Sequence, residues 1–396
     1  MSNSQPQHTK LSTLLATNIR NYSMVLMLIA IMVVFAFLTA GNNLSSRNIT
    51  NIFMQNSYVL ILAVGMMFVI IIGNIDLSVG SLVALVGAFS AMIYNTGIGL
   101  VATVALSIII GILIGAFQGF WIAYLKIPAF IVTLAGMMLF RGVTYIVTNV
   151  TPISLIDDTF KQIATGTVNI NALTVGGVYY TAYLVGIALF IIYIFSELIS
   201  RASKMRNNFE VLSTGLFIGK LLLIGLFIGL ISWKFATYRG LPTVVIVLGF
   251  TIWLFSFIAS STILGRYIYA VGGNARSAKL SGINSEQVTL LVHVTMGALC
   301  GLAGVVFTAY MNDALPQAGL GMELDAIAAC FIGGASTTGG IGTIIGAITG
   351  GLVMAAINNG MSLMNLEAHW QYVMKASVLL LAVLYDIYTR RKSGLG

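Results

Sequence analysis

Asp76 stands at a junction between apolar stretches of this sequence, and Arg141, Lys220 and Lys375 stand inside them. Such groups are costly in hydrocarbon unless hydrated or paired, so each marks an ion site, a relay or a structural pair. Asp76, in the run Ile75-Asp76-Leu77-Ser78-Val79-Gly80, supports two readings. One is a proton or cation site. The other, favoured on chemistry, is a cap in which the carboxylate accepts orphan N–H groups of the following helix and complements its dipole. Arg141 lies too deep in its run for simple snorkelling, which predicts a structural partner, Asp76 or helix-end carbonyls, rather than ligand contact. Lys220 and Lys375 lie nearer the ends of their runs and are read as snorkelling.

Asn74, Ser78, Asn95, Gln118, Asn358 and Asn359 are the uncharged polar candidates. Each either lines a pathway or serves as hydrogen-bonding glue between helices. Metal and covalent chemistry find no support. His8, His293 and His369 lack ligand-like spacing and are read as surface or core histidines, and Cys300 and Cys330 sit in apolar runs as packing residues. No paired carboxylates or nucleophile with its base can be picked out, so no catalytic residue and no metal are assigned. A phosphate-binding P-loop is missing too, because Gly219-Lys220 is followed by Leu221 inside an apolar run. Any ATP-driven step therefore needs a separate polypeptide.

The stretch GRYIYAVGGNARSAKLSGIN, residues 265–284, concentrates glycine and basic residues in a chain that is only 8% charged. Asn274 is placed to N-cap a short helix and Gly282 to take the left-handed position that ends it, with Ile283 packing back on Ala278. About two turns result. Ala275, Ala278 and Gly282 would align small side chains on one side while Arg276 and Lys279 project at i, i+3. Together with Arg266, Gly272 and Gly273, these residues make a candidate docking helix for a groove on a soluble partner. The competing reading is an ordinary basic loop with a capped turn.

These residues must be positioned by membrane helices. Of 396 residues, 58% are hydrophobic, and residues 77–125 carry no charge. Crossing ~30 Å of hydrocarbon takes ~20 apolar residues per helix, and the runs are continuous rather than alternating, which excludes a β-barrel. Nine crossings are expected at residues 22–40, 58–73, 77–94, 100–124, 129–147, 178–195, 211–233, 241–264 and 288–311, then a Gly-rich region at 326–360 and a last helix at 370–388. The first is read as an uncleaved helix, not a signal peptide cut after Ala40. The net charge of +8 is explained by cytoplasmic loops rather than nucleic-acid binding. Lys126, then Arg201, Lys204 and Arg206, then Arg266, Arg276 and Lys279 fall on one side, together with both termini. That requires residues 326–360 to re-enter the membrane or cross it an even number of times.

The fold class is thus an all-α polytopic bundle of about ten spans with a re-entrant Gly-rich element. The expected divisions are a cytoplasmic tail at 1–21, a transmembrane domain at 22–388 containing the loop 265–286, and a cytoplasmic tail at 389–396. Gly333, Gly334, Gly339, Gly340 and Gly342 are dense enough to break a helix, whereas Gly342, Gly346 and Gly350 have the spacing of close helix packing. The polar segment 148–177, with Asp157 and Asp158, should cap the external face. Lys126-Ile-Pro-Ala-Phe is echoed by Gly240-Leu-Pro-Thr-Val entering from the other side, as in an inverted repeat or through the shared preference of proline for helix starts.

Three blocks carry a family resemblance. Residues 265–283 resemble the cytoplasmic coupling loop of permeases in ABC-type monosaccharide importers. Gly73-Asn-Ile-Asp-Leu-Ser-Val-Gly-Ser81 resembles that family's Gly-Gly-Ile-Asp-Leu-Ser-Val-Gly-Ser element, departing at Asn74. Residues 323–329 and 332–343 resemble its late Gly-rich element. The ending Asn358-Asn-Gly-Met-Ser362 with Trp370-Gln-Tyr-Val-Met-Lys375 is similar to the xylose and multiple-sugar branch. The resemblance implies a type II-like importer permease in the bacterial inner membrane, working as a homodimer or in a pair. It also implies a partner ATPase that holds ATP and Mg, an external sugar-binding protein, surrounding lipid, and no cofactor in this chain. An ion-coupled secondary transporter using Asp76 and Arg141, and a passive pore or embedded enzyme, are the alternatives.

Overall fold

The computed structural model describes residues 8–9, 11–207, 209 and 211–393, so parts of both expected tails lie outside the described residues. Five helices open the chain: α1 (Leu11–Leu38), α2 (Ser46–Ile71), α3 (Val79–Asn95), α4 (Leu100–Ala123) and α5 (Ala129–Thr148). After the short α6 (Gln162–Thr165) come α7 (Tyr180–Arg206), α8 (Thr214–Ala236), α9 (Thr243–Ser261), α10 (Ile263–Leu280), α11 (Ser285–Met311), α12 (Met322–Ile332), α13 (Ile344–Leu363) and α14 (Ala368–Ser393). Among the described residues, eight of them, α2, α4, α5, α7, α8, α9, α11 and α13, are long and apolar enough to cross a membrane. Among the described residues, strand occurs only as four pairs of two-residue strands. The chain is a polytopic helical bundle.

The helices differ sharply in depth. Of the apolar stretch of α2, 83% is buried, against 6% for α8. An apolar helix covered on every side forms a protein core, whereas one left bare faces lipid. Hence α2, α11 and α13 are central and α7 and α8 peripheral. Where α4 crosses α11, Gly111 and Gly115 of α4 meet Gly297 so closely that a Cβ at any of them would overlap facing backbone. In lipid, helices associate by close van der Waals approach, which small residues permit.

Two ends of the bundle can be distinguished. At one, the cap end, segment 149–177 lies over the helix ends. Ile153 pairs antiparallel with Ala314 and Thr167 with Pro242, the Tyr94 hydroxyl donates to Asp157 at 2.8 Å, and Phe160 is fully buried against Tyr94. At the opposite, basic end, Lys126 and Lys279 both reach Glu286, at 2.9 and 3.2 Å. Pro128 and Pro242 immediately precede α5 and α9 with similar extended backbone angles, and those helices start from opposite ends.

Several boundaries depart from the hydropathy reading. α2 starts at Ser46 rather than residue 58, because Ser45 caps it and its early polar side chains are satisfied: Asn48 bonds the Asn43 carbonyl and Thr50 the Ser46 carbonyl. The run 241–264 divides at Thr262, whose hydroxyl accepts the Gly265 N–H and starts α10. The expected loop after residue 265 is consequently helical. At the other end of the chain, α14 continues through residues assigned to the tail.

The Gly-rich region divides as the glycine pattern anticipates. α12 has 11 residues, too few to span at 1.5 Å per residue. Residues 333–343 then form a turn-rich loop at the basic end, where the Ser336 N–H bonds the Ile341 carbonyl, the Gly340 N–H donates to the Ile71 carbonyl and the Tyr269 hydroxyl to the Gly342 carbonyl. From there α13 returns to the cap end, with Gly346 against the Gly333 carbonyl and Gly350 against that of Ala329.

Candidate functional site

At the basic end, α10 is two helices joined at Asn274, whose φ of −161° and ψ of 100° are not helical. Its side-chain oxygen accepts the Ser277 N–H at 2.9 Å, making Asn274 the N-cap of the second piece. That piece ends at Gly282, with φ +85°, while the Ile283 N–H bonds the Ala278 carbonyl. Both caps anticipated from sequence are present. Gly272 is pressed against the Ile71 carbonyl and Gly340, where a Cβ would overlap them, and Gly273 faces open space. The short helix is thereby fixed to the end of α2 and to the Gly-rich loop.

One expectation about this helix is corrected. Ala278 is buried, 5% exposed, within the main core, so Ala275, Ala278 and Gly282 do not form one outward stripe. The outward surface consists of Ala275, Arg276, Ser277, Lys279 and Leu280, and Leu280 is 85% exposed. Arg266 is exposed one helix piece earlier. Leu280 and Glu286 escaped the sequence reading, although a leucine bounded by Lys279 and Ser281 in a polar turn is a legible signal.

The second constellation is a buried polar junction between the α2–α3 connection, α4 and α11. Asp76 Oδ1 accepts both the N–H and the hydroxyl of Ser78, at 2.9 and 2.6 Å, which closes the turn leading into α3. Gln118 Nε2 donates to the Ser78 hydroxyl at 2.9 Å. Asn74 Nδ2 lies 3.4 Å from His293 Nε2, and His293 Nδ1 lies 3.9 Å from Asp76 Oδ2. His293 is therefore a core histidine, and Asn74 fills with a side chain the place where the resembling element has glycine.

Arg141 does not reach Asp76. Its guanidinium donates to the carbonyls of Pro316 and Ala318, at 3.0 and 2.6 Å, latching the α11–α12 connection into the bundle. The partner class anticipated from depth, backbone carbonyls, is the one observed, though from a loop and not a helix end. Gly80 and Gly319 meet backbone to backbone beside it. Lys220 and Lys375 are not simply snorkelling: Lys220 pairs with Glu197 at 2.7 Å and Lys375 with the mostly buried Asp325 at 2.8 Å. Both carboxylates lie on other helices, out of reach of local sequence reasoning. Asn95 anchors the cap segment through the Ser154 carbonyl and the Ile156 N–H. Asn359 is interhelical glue, exchanging bonds with Asn48, and Asn358 stands beside it on α13 without a partner for its buried Oδ1.

Residues 48–383 match the family model for the permease component of branched-chain amino acid transport systems. The chain belongs to this family. Full-length relatives agree: it is 38% identical to the xylose transport system permease XylH of Escherichia coli strain K12, over 99% of this chain and all of that one. It is 39% identical to XylH of Haemophilus influenzae, over 95% of this chain and 98% of that one. It is also 35% identical to the ribose import permease RbsC of Escherichia coli K12, over 91% and 92% of the two chains. No solved structure matches it. The resemblance to ABC-type sugar-importer permeases read from the three motif blocks is borne out, and the permease is a multi-pass membrane protein.

Proposed function

We propose that this permease moves a monosaccharide of the xylose class inward by alternating access, driven by a separate ATPase that binds ATP and Mg. The observation that carries the substrate class is the similarity to the xylose permeases along essentially the whole chain, against a lower identity to the ribose permease. In this reading the basic end faces the cytoplasm with both termini, and the capped end receives a sugar-loaded external binding protein. Two copies, or this chain and a second permease, form the pathway. The ATPase docks on Ala275–Leu280, with Leu280 entering an apolar groove between the charges of Arg276 and Lys279. Motion of that helix reaches the core through Gly272, Ile71 and Gly340, which touch backbone to backbone.

Leu280→Glu tests the docking surface. Because the side chain is 85% exposed, the variant should fold and reach the membrane as the parent does, surface substitutions usually costing no more than about 0.5 kcal/mol. Xylose uptake and sugar-stimulated ATP hydrolysis should both be lost in vesicles reconstituted with ATPase and binding protein. Parental uptake by this variant would remove the docking assignment while leaving the transport assignment standing.

A further inference from the structure

Beyond the transport path, the periphery of the bundle holds a groove with no polar lining. It lies between α1, α2, α8 and α13, is walled by Leu28, Met32, Ile52, Phe53, Phe227 and Ile231 among others, and measures about 660 Å³ including its open side. Its origin is in the attachment of α8. Near the cap end α8 is held to α2 by the edge-on contact of Phe53 with Phe235, 5.6 Å between centroids, and by Ile231. Further along, Leu222, Leu223 and Leu226 are each at least 60% exposed, so α8 stands away from the bundle and a cleft opens laterally. Empty apolar space forfeits dispersion contacts, and water is not stable in it.

Toward its cap end α8 carries a lysine one turn beyond the groove-lining Ile231. Phe227, Ile231 and Lys234 share one face of α8 by their i, i+4, i+7 spacing, and the Lys234 ammonium lies 4.4 Å from the Trp233 ring centroid. Half-exposed Trp233 and a snorkelling lysine are what an apolar–polar boundary selects. The hydroxyls of Ser46 and Thr237 bond each other at 2.8 Å across α2 and the end of α8, and exposed Arg47 follows Ser46. Helices α1, α2, α8 and α13 contain no aspartate or glutamate, so no protein carboxylate on these walls competes for the charge.

We propose that the groove is a binding site for one anionic glycerophospholipid, with an acyl chain along Phe227 and Ile231 and the phosphate at Lys234 and the Ser46–Thr237 hydroxyls. The lipid acts as a wedge that holds the α7–α8 hairpin at a fixed angle to α2. This does not depend on which end faces the cytoplasm.

The test is native mass spectrometry of the detergent-purified permease titrated with phosphatidylglycerol or phosphatidylethanolamine. The parent should retain one phosphatidylglycerol per chain and prefer it about fivefold over phosphatidylethanolamine, the contribution of one lysine near the surface. Ile29→Trp, which fills the groove from a position 54% exposed, should lose retention of both lipids. Lys234→Gln should keep retention and lose the preference. Equal binding of the two lipids by the parent, or parental retention by a folded Ile29→Trp variant, would overturn the proposal. So would a disulfide joining two Ile29→Cys chains in the membrane, which would mean that a second copy fills the groove. If Ile29→Trp does not fold, the Lys234→Gln preference decides.

Discussion

Asn48 on α2 and Asn359 on α13, 311 residues apart, exchange side-chain amide bonds at 2.7 and 2.9 Å inside the bundle. Each amide is the other's partner where neither water nor lipid can substitute. Asn359→Leu leaves Asn48 Oδ1 without its donor, while Nδ2 keeps the Asn43 carbonyl, and should cost about 1–2 kcal/mol, the range for such bonds in membrane helices. Thermal melting in detergent measures it, and Asn48→Leu combined with Asn359→Leu should recover part of the loss. If the single variant melts with the parent, the pair contributes nothing.

Arg141→Leu removes a hydrogen-bonded latch rather than a salt bridge, with Glu323 in Coulombic reach of the guanidinium. Its two acceptors are carbonyls of Pro316 and Ala318, so the cost should be about 1–3 kcal/mol, the range for stranding buried polar groups, and less than for breaking a buried ion pair. Limited proteolysis should show faster cleavage in the 312–321 connection with the rest of the bundle unchanged. An unaltered cleavage pattern would show that the loop is held without Arg141, by the Gly80–Gly319 contact and the Ile153–Ala314 pairing.

Gly297→Val and Gly229→Ala should act in opposite directions. A Cβ at Gly297 meets the Gly111 carbonyl and the Gly115 backbone, whereas at Gly229 nothing lies within 4 Å. The first should force α4 and α11 apart and cost at least about 1–3 kcal/mol. The second should be neutral or gain up to about 1 kcal/mol from helix propensity. Expression level and melting midpoint read both, and equal outcomes would contradict the close crossing.

The cap segment should respond to acid. Hydrogen bonds from the Tyr94 hydroxyl and the Thr159 N–H hold the Asp157 carboxyl below its ordinary value of 3.8. A depressed folded value means that the stabilising bond is present above the ordinary value and is lost as pH falls through the lower one. A fluorophore on Ile156→Cys should report a constant environment from neutral pH to about 5 and a change only below about 4. Tyr94→Phe should move that change to higher pH. An identical midpoint in both proteins would show that Tyr94 does not set it.

The polytopic helical class, the caps of the short helix after Asn274 and the break in the Gly-rich region were legible because each rests on local physics. Hydrocarbon forces backbone bonds to close within a segment, and a cap joins residues three to five apart. Where helix ends carry polar residues the same reading fell short. The start of α2 was hidden because Asn48 and Thr50 look like a loop until their partners are known.

What only the tertiary structure decided is which face of each helix is covered and what each buried charge meets. Ala278 and Leu280 are two residues apart in one short helix, yet the first is core and the second is 85% exposed; apolar character alone assigns them the reverse. Lys375 could be read as snorkelling until Asp325, on a different helix, was brought to 2.8 Å. The glycines of α4 and α11 acquire a purpose only when the two helices cross. Hydropathy is a property of the chain and determines that a helix is in the membrane. Coverage and pairing are properties of neighbours hundreds of residues away, because in lipid it is packing and polar satisfaction, not apolarity, that distinguish one side of a helix from another.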